Sequence, residues 1–288
     1  LSWGEKNAFA LILFMYYAVM QNPDLIILDD PISSFDTNKK YAILHRMFKN
    51  IGKRDVSLEG KTVLFLTHDF EPITDFIVVG KLGEEKAQAS FVCNEHGIVK
   101  AHKIDPNSDV KLITIECSEI AKNTDINIVS RVAFLRKLSE LNGRNGDWDF
   151  VYEILSCLIH ANEIKRKLGN NTYIDIDPGD IALGISKIKE YIPDFDYDEL
   201  KNNIYTKEGV KNLYNAETNA YLKVQLFREM NEILTHNEVR ITQMDGAWYK
   251  FIDETYHIEN DYLHFLDIKF NIVPSYIIDN VDEIVSGI

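Results

Sequence analysis

Ser2, Gly4, Glu5 and Lys6 stand at the head of a long apolar segment, and residues of these types suit phosphate binding there. A glycine lets the backbone approach a phosphate, the N-terminus of a following helix offers free N–H groups with a favourable dipole, and a serine adds a hydroxyl donor. The same residues also make a helix start, with Ser2 as the cap and Glu5 three residues on. Both readings hold at once. Asp29 and Asp30 close the apolar run Leu25 to Leu28, and the carboxyl ends of strands are where open α/β sheets bind ligands. The plainer alternative is two solvated acids at a strand end. His68 follows a second apolar run, Thr62 to Leu66, within Leu66-Thr67-His68-Asp69. A single histidine in such a place is usually structural. Ser33-Ser34-Phe35-Asp36 reads as a loop in which Asp36 caps the next helix.

The elements that must position these residues follow from patterning. Gly4 to Met20 reads as a helix stopped by Asn22-Pro23-Asp24. Leu25 to Leu28 and Thr62 to Leu66 are continuous apolar runs, as strands of a parallel sheet buried on both faces should be. Thr37 to Asn50 repeats apolar residues at helical spacing, a short helix is expected from about Glu71 to Phe76, and Ser90 to Cys93 with Ile98 to Lys103 look like a hairpin. After Pro106 helical periods dominate: Val129 to Leu141, Phe150 to Ile159, Ile181 to Tyr191, Val210 to Leu234 and Trp248 to His257. The expected architecture is an α/β lobe over 1–104, mostly parallel sheet with flanking helices, followed by an all-α domain over 105–288.

Composition sets limits. The chain has 288 residues, 45% hydrophobic and 26% charged, ordinary for a soluble globular protein. Its most apolar early stretch, Ala8 to Met20, is too short to span a bilayer. Cys93, Cys117 and Cys157 have no paired or metal-ligand spacing, so reduced thiols and a cytoplasmic location are expected. The net charge of −14 is uneven: 13 acidic and 12 basic residues lie in 1–104, and 32 acidic and 19 basic in 105–288. So acidic a second half argues against broad nucleic-acid binding there, though a local basic site is compatible with it.

In order, Leu1-Ser2-Trp3-Gly4-Glu5, Leu25-Ile26-Ile27-Leu28-Asp29-Asp30, Ser33-Ser34-Phe35-Asp36 and Leu66-Thr67-His68-Asp69 resemble the signature, Walker B, D-loop and switch-histidine motifs of an ABC-type ATPase head of the SMC-like, non-transporter branch. That resemblance implies ATP and Mg²⁺ as cofactors. It implies that Ser2 and Gly4 contact ATP in trans, with Glu5 in the same box and Lys6 near the phosphates, and that Ser34 and Asp36 belong to a loop crossing to the partner's site. Asp29 would belong to the Mg²⁺ shell, Asp30 would polarise the attacking water, and His68 would bond the γ-phosphate. The family's usual second acid is Glu. Asp30 is one methylene shorter, which implies slow or tightly gated hydrolysis. The implied assembly is a homodimer with ATP sandwiched between heads. Gly60-Lys61-Thr62 does not supply the phosphate loop, because Asp55 replaces the first glycine and the segment leads into a strand. The resemblance therefore places the Walker A loop upstream of Leu1.

The second half, through Tyr256-His257-Ile258-Glu259-Asn260 and Phe270 to Pro274, resembles the tails of bacterial phage-defence ATPases, including the Septu and retron-associated ATPases and the RloC and PrrC anticodon nucleases. This implies an effector protein, such as a nuclease, gated by the heads. The nuclease members carry an Arg-x3-Glu with a downstream His, matched here by Arg136, Glu140 and His160. Such a set could perform metal-free RNA cleavage, with Glu140 and His160 in the proton roles and Arg136 stabilising phosphorane charge. An i,i+4 surface pair and a core histidine explain the same residues. A second Arg-x3-Glu, Arg228 and Glu232, precedes His236 and His257. His257, Glu259 and Asp261 lack a metal template, so helix-end packing is expected there. A DNA-repair machine of the SMC type is the remaining alternative.

Overall fold

A computed structural model describes residues 2–49, 56–79, 86–95, 97–169, 172–236, 267–270 and 273–287. The chain divides into two compact units, Leu1–Ser90 with Lys103–Asn107, and Phe91–His102 with Ser108–Ile288. The first holds α1 (Trp3–Gln21), β1 (Ile26–Asp29), α2 (Thr37–Phe48), β2 (Val63–Leu66) and α3 (Glu71–Ile73), which runs on into a π-helical turn, Thr74–Val79. Ser2 caps α1 and Glu5 reaches back to the Ser2 N–H at 2.7 Å, so the helix starts where its capping box dictates. It stops at Asn22, which takes the left-handed conformation.

Strands β1 and β2 are parallel neighbours, in register from Ile26 against Val63 to Asp29 against Leu66. The unit is α/β, and among the described residues its parallel sheet consists of these two strands. Its strands are not buried on both faces. Ile26 and Leu28 join Met15, Ala18, Met47 and Leu58 in one core, while Ile27, Leu64 and Leu66 stay exposed. A single helical layer, from α1 and α2, supplies that core, which explains the bare second face. Along α1, Phe9, Leu13, Tyr17 and Met20 are likewise exposed.

The second unit takes the hairpin β3 (Ser90–Glu95) and β4 (Ile98–Lys103) from Phe91 onward, with the Phe91 ring 5.5 Å from that of Phe270. Its core is helical: α4 (Ile113–Lys122), α5 (Ile128–Leu141), α6 (Asp147–Ile159), α7 (Pro178–Lys189), α8 (Tyr197–Glu199) with a π-helical turn Leu200–Ile204, α9 (Lys207–Ala216), α10 (Ala220–His236) and α11 (Ser275–Gly287). Val132, Leu135, Ile154, Leu155, Leu158, Ile188 and Phe227 are buried together. Gly184 permits the α6–α7 approach, since a Cβ there would lie 2.6 Å from Ile154 Cδ1.

Two expectations need correction. The unit is not all-α, because β5 (Lys165–Gly169) and β6 (Thr172–Asp175) form an antiparallel hairpin between α6 and α7. Lys165-Arg166-Lys167 shows no apolar alternation because the hairpin is held by polar links: the Cys157 thiol lies 3.1 Å from the Lys165 carbonyl, and Arg166 pairs with Asp149. The apolar run from Val210 to Leu234 is two helices. Glu217 Oε1 accepts from the Thr218 and Asn219 N–H groups, both at 2.9 Å, and Asn219 Oδ1 accepts from the Leu222 N–H, so the break carries its own caps. The expected Trp248 to His257 helix, the Tyr256 to Asn260 segment, and His257, Glu259 and Asp261 lie outside the described residues. Cys93, Cys117 and Cys157 are free thiols, and no helix among the described residues is long and apolar enough to cross a membrane.

Candidate functional site

The parallel pairing of β1 and β2 brings their carboxyl ends side by side, and with them Asp30 and the Thr67-His68-Asp69 segment. The Asp30 N–H donates to the Leu66 carbonyl at 2.8 Å, extending the ladder one residue past β1. There the backbone turns sharply: Asp30 has φ +47°, a left-handed conformation that non-glycine residues adopt at a cost of roughly 1 kcal/mol. Aspartate tolerates it better than most. The turn sets Asp30 Oδ2 3.4 Å from His68 Nδ1, with His68 Nε2 4.0 Å from Asp69 Oδ1. Asp30 Oδ1 is enclosed and has no hydrogen-bond partner.

Ligand atoms of Asp30, His68 and Asp69 all lie within 4.8 Å of one another, a spacing compatible with one shared cation. An enclosed carboxylate oxygen without a donor is the kind of atom a cation or ordered water serves, so the residues fit a divalent ion. Asp69 is also held by Lys40 from α2 at 2.8 Å, and both side chains are largely buried. That ion pair anchors the segment carrying His68 to the helix after the acidic turn. Asp29, assigned to the metal by resemblance, has an exposed side chain outside this group.

The signature residues adjoin the loop between β1 and α2. A Cβ on Gly4 would lie 3.9 Å from the Phe35 ring and 4.0 Å from the Ser34 carbonyl, so the α1 start rests against that loop. Asn7 Nδ2 donates to Ser34 Oγ at 2.8 Å and ties the two together. Asp36 caps α2 by accepting from the Lys39 N–H, and its side-chain bond to the Lys39 ammonium holds its carboxyl below the usual range. Ser33 Oγ donates to the Asp30 carbonyl at 3.4 Å, linking the loop to the acid. Ser2, Glu5 and Lys6 are exposed, Ser2 and Glu5 being joined in the capping box. Asn7 and Lys40 belong to none of the motifs that the sequence displays, and Asp69 enters only beside His68. Asn7 carried a signal in its place one turn into the helix, whereas the Lys40–Asp69 pair is visible only once α2 and β2 are packed.

In the second unit Arg136 and Glu140 do meet, at 3.3 Å. Arg136 also donates to Ser156 Oγ at 2.8 Å and to the Tyr152 hydroxyl at 2.9 Å, and its guanidinium lies 4.7 Å from the centroid of the Tyr152 ring. A guanidinium engaged on this many sides is a clamp between α5 and α6. His160 finds its acid elsewhere, with Nδ1 3.7 Å from Glu232 Oε2 on α10. The second Arg-x3-Glu thus supplies the carboxylate that faces the histidine. Gln225, Arg228 and Glu229 lie buried on the same helix. Burial pushes the Glu229 carboxyl well above its ordinary range. No family model, curated protein or solved structure matches the chain.

Proposed function

We propose that the first unit is the trans-acting half of an SMC-like, ABC-type ATPase head that binds and hydrolyses ATP, and that ATP-dependent pairing of two heads gates an antiviral defence effector. The observation carrying this reading is the convergence of Asp30 and His68 at the ends of adjacent parallel strands, 3.4 Å apart, with Asp30 in a left-handed turn. Strain of this sort is maintained where surrounding structure over-determines it, and functional acids are common among such residues. In this reading Asp30 orients a water for in-line attack and His68 donates to a phosphate oxygen. Mg²⁺, when bound, would offset phosphate charge, and the enclosed oxygen of Asp30 makes that residue a candidate to hold it alongside Asp29.

The Asn7–Ser34 hydrogen bond supports the trans role, because it joins the signature helix to the loop that the resemblance sends to a partner head. The bare face of Ile27, Leu64 and Leu66 also supports the reading of a half-lobe, since parallel sheets are covered on both faces. The test is Asp30→Asn in the full-length protein. Turnover of ATP should fall by roughly 100-fold or more while ATP binding persists. Unchanged turnover would remove the assignment.

A further inference from the structure

Where the C-terminal end of α6 approaches the start of α9, a cleft of about 310 Å³ opens, within the range of small-molecule sites. His160, Tyr205, Thr206 and Lys207 line it. His160 is the C-cap of α6, and with Nδ1 turned toward Glu232 its Nε2 is the ring nitrogen left to meet a ligand. Thr206 caps the ten-residue α9, its Oγ accepting from the Gly209 N–H at 3.1 Å, which leaves the hydroxyl proton to donate into the cleft. Lys207, exposed at the first helical position, adds an ammonium to the positive end of the helix dipole.

A helix start alone would mean little. Tyr205 supplies the independent observation: it is 2% exposed, lines the cleft, and its phenolic hydroxyl is buried without a hydrogen-bond partner. An unserved buried hydroxyl is costly, and a ligand acceptor would relieve it. Burial also pushes the neighbouring Glu229 carboxyl upward, away from the anionic form that would oppose such a ligand. The donors are a cation, an imidazole, two hydroxyls and helix N–H groups, a set that suits a multiply charged oxyanion.

We propose that this cleft binds a phosphomonoester, which would give the acidic second unit a nucleotide- or phosphate-sensing site of its own, independent of the ATPase reading of the first unit. The test is calorimetric titration of the full chain with inorganic phosphate and, separately, with adenosine 5′-monophosphate. One saturable site per chain is expected. Lys207→Met and His160→Gln should each weaken it by about tenfold or more, in line with the loss of a charge-assisted bond. Tyr205→Phe should weaken it while keeping the ring and the fold, monitored by circular dichroism. Asp30→Asn, in the other unit, should leave this binding unchanged, so failure here and failure of the ATPase reading are distinguishable. Tighter binding of the nucleotide would show that the rest of the cleft is used, and equal binding would show that phosphate alone is recognised. No saturable binding of either probe at millimolar concentration overturns the proposal. So does binding that survives both Lys207→Met and His160→Gln, or that is lost in Asp30→Asn.

Discussion

Replacing Glu116 by Gln should flatten the pH dependence of stability of the second unit. Glu116 lies on α4, 6% exposed, with Oε1 accepting from the Ile268 N–H at 2.6 Å and Oε2 enclosed without a partner. Burial, reinforced by the nearby Asp267 carboxylate, raises its pKa from 4.5 to about 7. In the folded chain the proton is thus held more tightly than in the unfolded chain. The associated stability is full below about pH 4.5 and is lost as pH rises through about 7. At about 1.4 kcal/mol per tenfold change in proton affinity, that rise corresponds to about 3 kcal/mol. Urea unfolding followed by circular dichroism at pH 5 and pH 8 measures it. The difference between the two pH values should shrink by up to about 3 kcal/mol in Glu116→Gln relative to the parent. Taking the difference of differences cancels other groups with the same sign, such as Glu229. Equal pH dependence in parent and variant would refute the placement of this carboxyl.

Other perturbations test separate parts of the structure. Gly209→Ala would put a Cβ 2.4 Å from the Asn203 carbonyl and 2.5 Å from that of Ile204, so backbone must move and about 1–3 kcal/mol of stability should be lost, read as a drop in melting temperature. Arg136→Met keeps the length of the side chain but leaves Tyr152 and Ser156 without their donor and Glu140 with Lys137 alone. About 2 kcal/mol of destabilisation in urea is expected, and a neutral result would show that the clamp is not structural. Asn7→Ala removes the tie from α1 to Ser34, and in the full-length protein it should slow ATP turnover while barely changing the melting temperature.

The sequence was most informative where local chemistry and tertiary role coincide. Ser2 with Glu5 marks the start of α1, Asp36 marks the start of α2, and the apolar runs before Asp30 and His68 mark two strands whose parallel pairing then brings the acid and the imidazole together. It was least informative where structure depends on polar links between distant residues. The β5–β6 hairpin rests on Cys157, Asp149 and Glu153 reaching Lys165 and Arg166, so no period-2 apolar pattern announces it. Asn219 carries a cap signal, masked because apolar periodicity continues across the break into α10. His160 and Glu232 stand 72 residues apart, and nothing in either segment specifies that α6 and α10 deliver them to one place.

The two units place their chemistry in contrasting ways. In the first, Asp30 and His68 sit at strand ends, and the one groups them with Asp69 through backbone geometry that a one-residue slip of β1 against β2 would destroy. In the second, α10 carries Gln225, Arg228, Glu229 and Glu232 at helical spacing, so a polar stripe runs where an apolar one would be cheaper to bury. An apolar stripe would pack without the enclosed, unserved oxygen that Glu229 leaves here. Hydrophobic packing therefore does not account for the choice of residues on α10, of which Glu232 faces His160 while Gln225 and Arg228 adjoin Tyr221. If Gln225→Leu or Glu229→Gln stabilises the second unit in urea, the stripe is maintained at a cost in stability, as functional groups are. If either change is strongly destabilising, the stripe is a satisfied structural network and loses its claim to function.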